Sequence, residues 1–375
     1  MIKFMLIESI LTKNHKRMKN ISKDPDFYGK NIYTGIDTHL KNWRVTVMIE
    51  DSYYKTFSMN PKAKELSYYL KKNFPNGNYF SAYEAGFCGY SVHRSLIGEG
   101  IQNIIVNPAD IPTTDKEKKQ KEDSRDSRKI ARSLRNGELE GIYIPSQKTE
   151  ELRSLMRYRK TLVRDIGRNK NRIKSFLYRH GIEVPCELDT ASKYWSSNFT
   201  RWLRDVRLST DFGHTIILNI LDTVTLLRLK LLEVQKELRR IAKQEEYSQQ
   251  VKWLTGIPGI GLISAMTLLS ELESIFRFKN LDKLCSYIGL VPTTNSSSEN
   301  ERVGSITPRS NQYLRGMIIE SAWISIRSDP ALALAYSNLC KRMKPNKAII
   351  RIAKKLLNRI RYVLKNQTEY EYAIV

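Results

Sequence analysis

The sequence predicts a protein of two main parts, an α/β domain followed by a predominantly helical region. Short β-rich runs alternate with helical patterns up to about residue 147, and the strand pattern is absent beyond that point. A chain of 375 residues is also long for a single hydrophobic core. The first residues are basic and lack a clear hydrophobic period, which predicts an N-terminal extension. The predicted segments are 1–30, 31–147, 148–246 and 247–375.

The order of elements in 31–147 indicates the type of α/β domain. Three strands (NIYTGID, WRVTVMI and YYKTFSM) precede a helix (AKELSYYLKKN), a strand (NYFSAYEAG) and a second helix (YSVHRSLIGEG). A fifth strand (IQNIIVNP) and a third helix (SRDSRKIARSLRNGEL) complete the series. Three strands followed by alternating helices and strands are typical of a ribonuclease-H-like α/β domain.

Residues 148–246 are predicted to form a helical linker with two distinctive faces. One is a basic stripe at helical spacing, made of Arg153, Arg157, Lys160, Arg164, Arg168 and Arg172. Because few acids balance this stripe, it favours contact with backbone phosphates over a plain solvated face. Residues 181–212, with Pro185, are predicted to be a connection. After it comes a heptad-like coiled-coil seam of Ile217, Ile220, Val224, Leu227, Leu231, Val234, Leu238 and Ile241. The spacing does not tell whether this seam pairs within the chain or with another protomer.

Residues 247–375 are predicted to be mostly α-helical and contain a glycine-rich turn between two apolar helices. The run LTGIPGIGLISAMTLLSEL resembles a helix-hairpin-helix, in which glycines let backbone N–H groups approach a DNA phosphate. Gly259 and Gly261 are the candidate contacts. The alternative is a tight turn between two core helices.

Four acidic residues are the candidate catalytic groups of the first domain. Asp37 ends the first predicted strand and Glu84 ends the fourth, while Asp123 and Asp126 share one face of the last helix. In a ribonuclease-H-like sheet these positions converge, and divalent cations would neutralise their repulsion. Two Mg²⁺ ions ~4 Å apart would stabilise the attacking and leaving oxygens of a phosphodiester reaction. Taken singly, each carboxylate is an ordinary surface charge.

Three consecutive serines, Ser296, Ser297 and Ser298, lie in a predicted polar loop near basic residues. A serine hydroxyl is a poor nucleophile unless it is activated or the developing charge is stabilised. Arg302, Arg309 and Arg315 follow at positions suited to clamp a phosphate or to bind DNA directly. The chemistry of this segment alone favours an inert loop.

The charge balance and the cysteines narrow the class of protein. Lys and Arg number 63 against 39 Asp and Glu, and the resulting net charge of +24 favours a nucleic-acid partner. No segment approaches the ~20 apolar residues that span a bilayer, and the N-terminus is too polar for a secretory signal. The four cysteines show neither zinc-site nor disulfide spacing. We therefore expect a cytoplasmic protein without membrane association.

With the acidic quartet, the IPGIG turn and the GLVP–serine–ITPRSNQYLR segment in this order, the sequence resembles a known transposase family. Its members pair a RuvC-like (Holliday-junction-resolvase type) DEDD domain with a C-terminal transposase domain. The resemblance covers roughly residues 32–365. It implies a recombinase of prokaryotic insertion sequences, associated with the nucleoid and guided by a bridge RNA. It also implies double-stranded DNA substrates, Mg²⁺, and assembly into dimers and then tetramers through the helical linker.

The resemblance also assigns roles to residues of this sequence. Asp37 and Glu84 match the family's first two acids, and Asp123 and Asp126 match its closing pair. Counting from the GLVP motif, Ser297 matches the nucleophile that forms a phosphoserine link to DNA, at a composite site shared between protomers. Ser296 and Ser298 lie within a one-residue shift of that register.

Four positions depart from the family's usual residues. Where the family usually has Glu-Ala-Thr-Gly, this sequence has Glu84-Ala85-Gly86. Ser127 replaces an alanine that is common after the last acid. Ser298 and Ser310 each stand where glycine is usual. Two other functions compete with the transposase reading. One is a metal-dependent junction nuclease with inert serines, and the other is a nucleic-acid-binding scaffold without enzymatic activity.

Overall fold

The computed structural model describes residues 26–112, 123–297, 300–307 and 310–371. For Asp123, Ser124 and residues 293–297 and 300–305 it describes the backbone alone. The chain forms two compact units that divide between Ile144 and Pro145. Most of the predicted extension 1–30 lies outside the described residues.

The N-terminal unit is a mixed five-stranded sheet with helices on both faces, as the element order predicts. Strand β1 pairs in antiparallel fashion with β2, and β2 with β3, whereas β1, β4 and β5 are parallel. The spatial order is β3-β2-β1-β4-β5. The elements are β1 (Asn31–Thr38), β2 (Trp43–Ile49), β3 (Ser52–Met59), α1 (Ala63–Asn73), β4 (Asn78–Glu84), α2 (Ser91–Gly98), β5 (Gln102–Val106) and α3 (Asp123–Arg135).

Alternation along the strands gives this sheet two apolar faces. Ile32 and Ile36 of β1 pack with Leu66 of α1 and Leu96 of α2 on one face. On the other face, Ala82 and Val106 pack against Ile130 of α3, and we call this the α3 face.

Gly35 allows α3 to approach the sheet closely. A Cβ at Gly35 would lie 2.1 Å from the Ser127 carbonyl oxygen and 2.4 Å from the Ala131 nitrogen. Only glycine therefore fits beneath the helix at this point of β1.

The C-terminal unit is mainly helical. It begins with two long helices, α4 and α6, which pack against each other within the chain. Its elements are α4 (Gln147–Arg179), α5 (Ser197–Asp205), α6 (Asp211–Ala242), α7 (Glu245–Thr255), α8 (Leu262–Leu272), α9 (Leu281–Ile288), β6 (Pro292–Ser297), β7 (Asn300–Ile306), α10 (Gln312–Ser328), α11 (Pro330–Cys340) and α12 (Pro345–Asn366).

The predicted heptad seam lies on the face of α6 that packs within the chain. Ile217, Val224 and Leu238 are buried. Ile220 packs in one hydrophobic cluster, and Val234 and Ile241 pack in a second. Leu227 and Leu231 are half-buried and belong to neither cluster. Much of the seam therefore packs within the chain, and its pairing with another protomer stays a prediction.

Two segments differ from the sequence prediction. The connection 181–212 contains α5, whose Phe199 and Leu203 are fully buried against α4 and α6. A short amphipathic helix docked on two others carries too little periodic pattern to be recognised alone. The serine segment, predicted as a loop, forms the antiparallel hairpin β6–β7. Its polar residues gave no strand signal, because strand propensity depends strongly on context.

The largest hydrophobic core of the C-terminal unit is centred on α8 and α12, with α7, α9 and α10 packed around them. Buried residues such as Met266, Leu268, Ile352 and Leu356 belong to it. Among the described residues, the helices are all too short or too polar to traverse a bilayer.

Candidate active site and nucleic-acid surface

Two of the predicted acids lie at the carboxyl ends of neighbouring parallel strands. Strand β1 pairs with β4 up to Ile36 opposite Tyr83, so Asp37 and Glu84 come next on each strand. Their side chains follow the alternation of Gly35 and Ala82 and so lie on the α3 face. The strands that carry Asp37 and Glu84 are therefore neighbours in the sheet.

Helix α3 begins over the same edge of the sheet. The Ser127 hydroxyl lies 2.9 Å from that of Thr46 on β2, and Thr46 lies 2.7 Å from Thr56 on β3. Ser127 and Thr46 are both fully buried. Ser127, which replaces the family's common alanine, thus takes part in a chain of hydroxyl groups that links α3 to β2 and β3. Asp126 is the residue before it. We call the positions of Asp37, Glu84 and Asp126, with the start of α3, the acid edge.

The acids whose side chains are described keep partial access to solvent. Asp37 is 23% exposed and lies 3.2 Å from Nε2 of His39. Asp126 is 26% exposed and lies 3.6 Å from Nζ of Lys129. Within the described part of the chain, there is no group of three or more His, Cys, Asp or Glu side chains arranged to hold a metal ion. The donor set itself, carboxylate oxygens on rigid elements, fits a hard divalent cation.

The serine segment occupies the end of the β6–β7 hairpin. Ser297 pairs with Asn300, Ser296 with Glu301 and Asn295 with Arg302. Strand β6 therefore ends at Ser297, and two residues separate it from β7, which begins at Asn300. Ser298 and Arg309 lie outside the described residues.

Arg315 holds the base of this hairpin. Arg315 Nη1 donates a hydrogen bond of 2.7 Å to the Thr307 carbonyl, and the Thr307 N–H donates one of 3.1 Å to that of Val291. Asn311 caps α10 by accepting from the Leu314 N–H. The predicted phosphate-binding Arg315 is thus partly committed to positioning the hairpin.

A buried carboxylate that the sequence did not reveal forms ion pairs with two residues of the basic stripe. Glu271 of α8 is 0% exposed. Arg157 donates to its two oxygens at 2.8 and 3.0 Å, and Arg153 lies 3.6 Å from it while donating to the Ser270 carbonyl. Asn311 adds a hydrogen bond of 2.8 Å. The sequence signal for this site is the single Glu within the apolar run LISAMTLLSEL, because a charged residue is rarely buried unless it is paired.

This contact gives the first half of the stripe a role in the fold that the charge pattern did not predict. An arginine that neutralises a buried carboxylate stabilises the fold, and its withdrawal would leave an uncompensated charge. Arg153 and Arg157 therefore stabilise the fold, which the charge pattern could not reveal because it does not show which acids the fold brings to it. Their contact with nucleic acid stays a prediction.

The second half of the stripe remains on the surface. Arg164, Arg168 and Arg172 are exposed, and Lys160 lies 4.3 Å above the Tyr313 ring. Arg168 is 3.3 Å from Asp165, an exposed pair of little energetic weight. An open groove of about 640 Å³ runs along this face and is lined by residues that include Arg168, Arg172 and Arg179.

The two glycines of the IPGIG turn differ in their surroundings. Gly259 has φ +86°, and a Cβ there would lie 2.4 Å from both the Ser321 carbonyl oxygen and Ser325 Oγ. Helix α10 therefore leaves no room for a side chain at Gly259, so packing requires glycine there. Gly261 has open space around it and precedes the first turn of α8.

The family comparisons agree with both units. The family described as "Transposase IS116/IS110/IS902 family" matches residues 251–337. A domain of IS110 DEDD transposases, described as "Transposase", matches residues 34–181. "Putative transposase y4rJ" of Sinorhizobium fredii is 30% identical over 314 residues, which cover 75% of this chain and 76% of that protein. This chain is an insertion-sequence transposase of the IS110/IS116 family.

Two further relatives carry related descriptions. "Transposase for insertion sequence element IS1533" of Leptospira borgpetersenii is 27% identical over 305 residues, 78% of this chain and 85% of the relative. "Putative transposase y4qE" of Sinorhizobium fredii is 27% identical over 244 residues, 65% of this chain. The latter match spans 58% of the relative's own length. The transposase family catalyses DNA cleavage and strand transfer, and the DEDD domain suggests use of a divalent metal.

Proposed function

We propose that this transposase cuts and rejoins the ends of its element and a target DNA by serine attack assisted by Mg²⁺. The observation that carries the proposal is the acid edge, where Asp37 and Glu84 end adjacent parallel strands beneath the start of α3. That strand order also supports a ribonuclease-H-like, RuvC-like assignment for the N-terminal unit. Asp37, Glu84, Asp123 and Asp126 would hold the metal. Bound Mg²⁺ would supply charge stabilisation for the attacking and leaving oxygens.

In the proposed reaction, the Ser297 hydroxyl attacks the scissile phosphorus of DNA. A bond from Ser297 Oγ to phosphorus forms as one phosphorus–oxygen bond of the strand breaks, and the departing strand leaves as a free hydroxyl after taking up a proton. A strand hydroxyl then reverses the step, restores a phosphodiester and frees the serine. Retaining the bond energy in the phosphoserine link makes ATP unnecessary. Arg302, Arg309 and the remaining donors of Arg315 would neutralise the phosphate.

We assign nucleic-acid binding to the exposed second half of the basic stripe. Lys160, Arg164, Arg168 and Arg172 would contact backbone phosphates of DNA or of a bridge RNA, and Gly261 would present backbone N–H groups at the start of α8. The guide RNA, the composite site between protomers and the assembly of dimers into tetramers rest on the family resemblance.

An excision assay tests this proposal in cells that carry the gene with its native flanks. The circle formed by the joined element ends is detected by PCR for the wild type, Asp123→Asn, Ser296→Ala, Ser297→Ala and Ser298→Ala. We expect Asp123→Asn and Ser297→Ala to abolish the circle and the two neighbouring serine changes to preserve it. A circle that survives all three serine changes but not Asp123→Asn would mean a metal-dependent nuclease without serine chemistry.

The scaffold alternative has its own signature. It predicts salt-sensitive nucleic-acid binding that no acid-to-amide change affects, together with no cleavage in Mg²⁺. Cleavage of DNA by the purified wild-type transposase would exclude it.

A further inference from the structure

One cation lies in the same row of the sheet as the acid edge. On β2, Arg44 is the register partner of Asp37, and on β3 its partner is Ser58. Thr46, two residues along β2 from Arg44, contacts Ser127 of α3. Since side chains alternate along a strand, Arg44 lies on the α3 face as well. The row across the sheet at this level is therefore Ser58, Arg44, Asp37 and Glu84.

The guanidinium of Arg44 is held on the side away from Asp37. Its Nη1 donates a hydrogen bond of 3.0 Å to Oγ of Ser58, on the strand opposite β1. The residue is half-buried. A hydroxyl is a neutral acceptor and binds a guanidinium less strongly than an anion does. A guanidinium has five N–H donors, so most of its capacity remains for a stronger acceptor.

We propose that Arg44 is a substrate-binding residue that contacts a phosphate of the strand on which the acid edge acts. This inference rests on the proposed function, because it takes the acids to act on a phosphodiester. Carboxylates repel a phosphate, and an arginine beside Asp37 offsets this with a bidentate, charge-assisted contact. Exchanging the Ser58 hydroxyl for a phosphate replaces a neutral acceptor by an anionic one, which a guanidinium can bind through two N–H groups.

Binding titrations in a series of salt concentrations test the contact without requiring activity. The purified full chain is titrated with duplex DNA and, separately, with single-stranded RNA in Ca²⁺, an oxygen-binding cation. We expect Arg44→Ala to weaken binding about tenfold. The slope of log affinity against log salt should fall by about 0.9 if the strand is duplex DNA and by about 0.7 if it is single-stranded. The nucleic acid whose binding is weakened by Arg44→Ala, duplex DNA or single-stranded RNA, is the one that supplies the phosphate.

Two controls separate a phosphate contact from general loss of charge. Ser58→Ala removes only the partner of the guanidinium and should leave the salt slope unchanged. Arg94 lies on α2, which packs against the opposite face of the sheet, and Arg94→Ala should also leave it unchanged. An unchanged slope for Arg44→Ala, or an equal fall for Arg94→Ala, would overturn the proposal.

A cleavage assay distinguishes substrate binding from service as a counter-charge to Asp37. As a substrate contact, Arg44→Ala should raise the DNA concentration required for half-maximal cleavage at saturating Mg²⁺. If Arg44 only balanced Asp37, its removal would shift the Mg²⁺ requirement and leave the salt slope intact, which contradicts the inference. If the wild type fails to cleave DNA, the proposed function fails, and the salt slopes still decide the role of Arg44.

Discussion

The molecule contains two carboxylate centres with opposite surroundings. At the acid edge, Asp37 and Asp126 keep 23% and 26% exposure, and Asp37 and Glu84 lie at the carboxyl ends of neighbouring strands. Glu271 is 0% exposed and receives the fork of Arg157 and the amide of Asn311. A carboxylate satisfied by protein donors stabilises the fold, whereas an accumulation of partly exposed ones favours an external cation. Changes at the two centres should therefore affect different properties.

The largest expected effect is on activity at the acid edge. Asp37→Asn should reduce Mg²⁺-dependent DNA cleavage by about 1,000-fold, because several kcal/mol of transition-state stabilisation are lost. Its melting temperature without divalent ions should equal or exceed that of the wild type, since the change relieves repulsion between like charges. Cleavage assays and thermal unfolding in EDTA measure the two quantities. A variant that loses stability and keeps activity would erase the distinction between the centres.

The second prediction concerns stability at Glu271. Glu271→Ala leaves Arg153 and Arg157 without their buried partner, and breaking such a pair costs about 3–5 kcal/mol. For a unit of this size that corresponds to a fall in melting temperature on the order of 10 °C. The exposed Glu320 on α10 provides a matched control, and Glu320→Ala should change stability by less than about 0.5 kcal/mol. Equal melting temperatures for the two variants would contradict the assignment of Glu271.

The two halves of the basic stripe extend the comparison to arginines. Arg172→Ala should weaken nucleic-acid binding severalfold and reduce the salt slope by about one. Arg153→Ala should leave that slope unchanged while lowering the melting temperature, because its partner is Glu271. Affinities of both variants for duplex DNA and structured RNA over a salt series provide the measurement. A reduced slope for Arg153→Ala would restore this residue to the binding surface.

The smallest effect concerns a third carboxylate, Asp329, which resembles Glu271 in its burial. It is 2% exposed, caps α11 through the Leu332 N–H, and accepts hydrogen bonds from Tyr370 and Arg359. Burial opposes its ionisation, but the Leu332 N–H, the Tyr370 hydroxyl and Arg359 together lower the pKa of Asp329 below its ordinary value.

A group with a lowered folded-state pKa contributes stability above its unfolded pKa, about 3.9 for Asp. That contribution is lost as the pH falls through the folded value. Asp329→Asn should therefore cost about 1 kcal/mol near neutral pH, and its melting temperature should approach that of the wild type at strongly acidic pH. A difference that is constant across this range would show that the charge of Asp329 makes no contribution.

Much of the N-terminal unit followed from the sequence, because each strand and helix there carries its own hydrophobic period. Strand β2 and helix α1 have the predicted bounds, and the other elements differ at their ends by a few residues. Asp37 and Glu84 were predictable as neighbours because parallel strands of known order bring their carboxyl ends to one edge. Helix α5 and the β6–β7 hairpin were not, since their residues acquire structure only from the elements on which they pack.

The sequence by itself determined the chemical inventory: an excess of cations, an ordered set of acids and a serine segment in a recognisable order. Tertiary structure alone decided which charges pair with buried acids and which remain on the surface. Arg153 and Arg172 look equivalent along α4, yet Glu271, more than 90 residues away, faces only the first. Arg44 looks like any strand arginine until the register sets it beside Asp37. Coulombic interactions depend on distance in space and on burial, and neither is written in the spacing of residues along the chain.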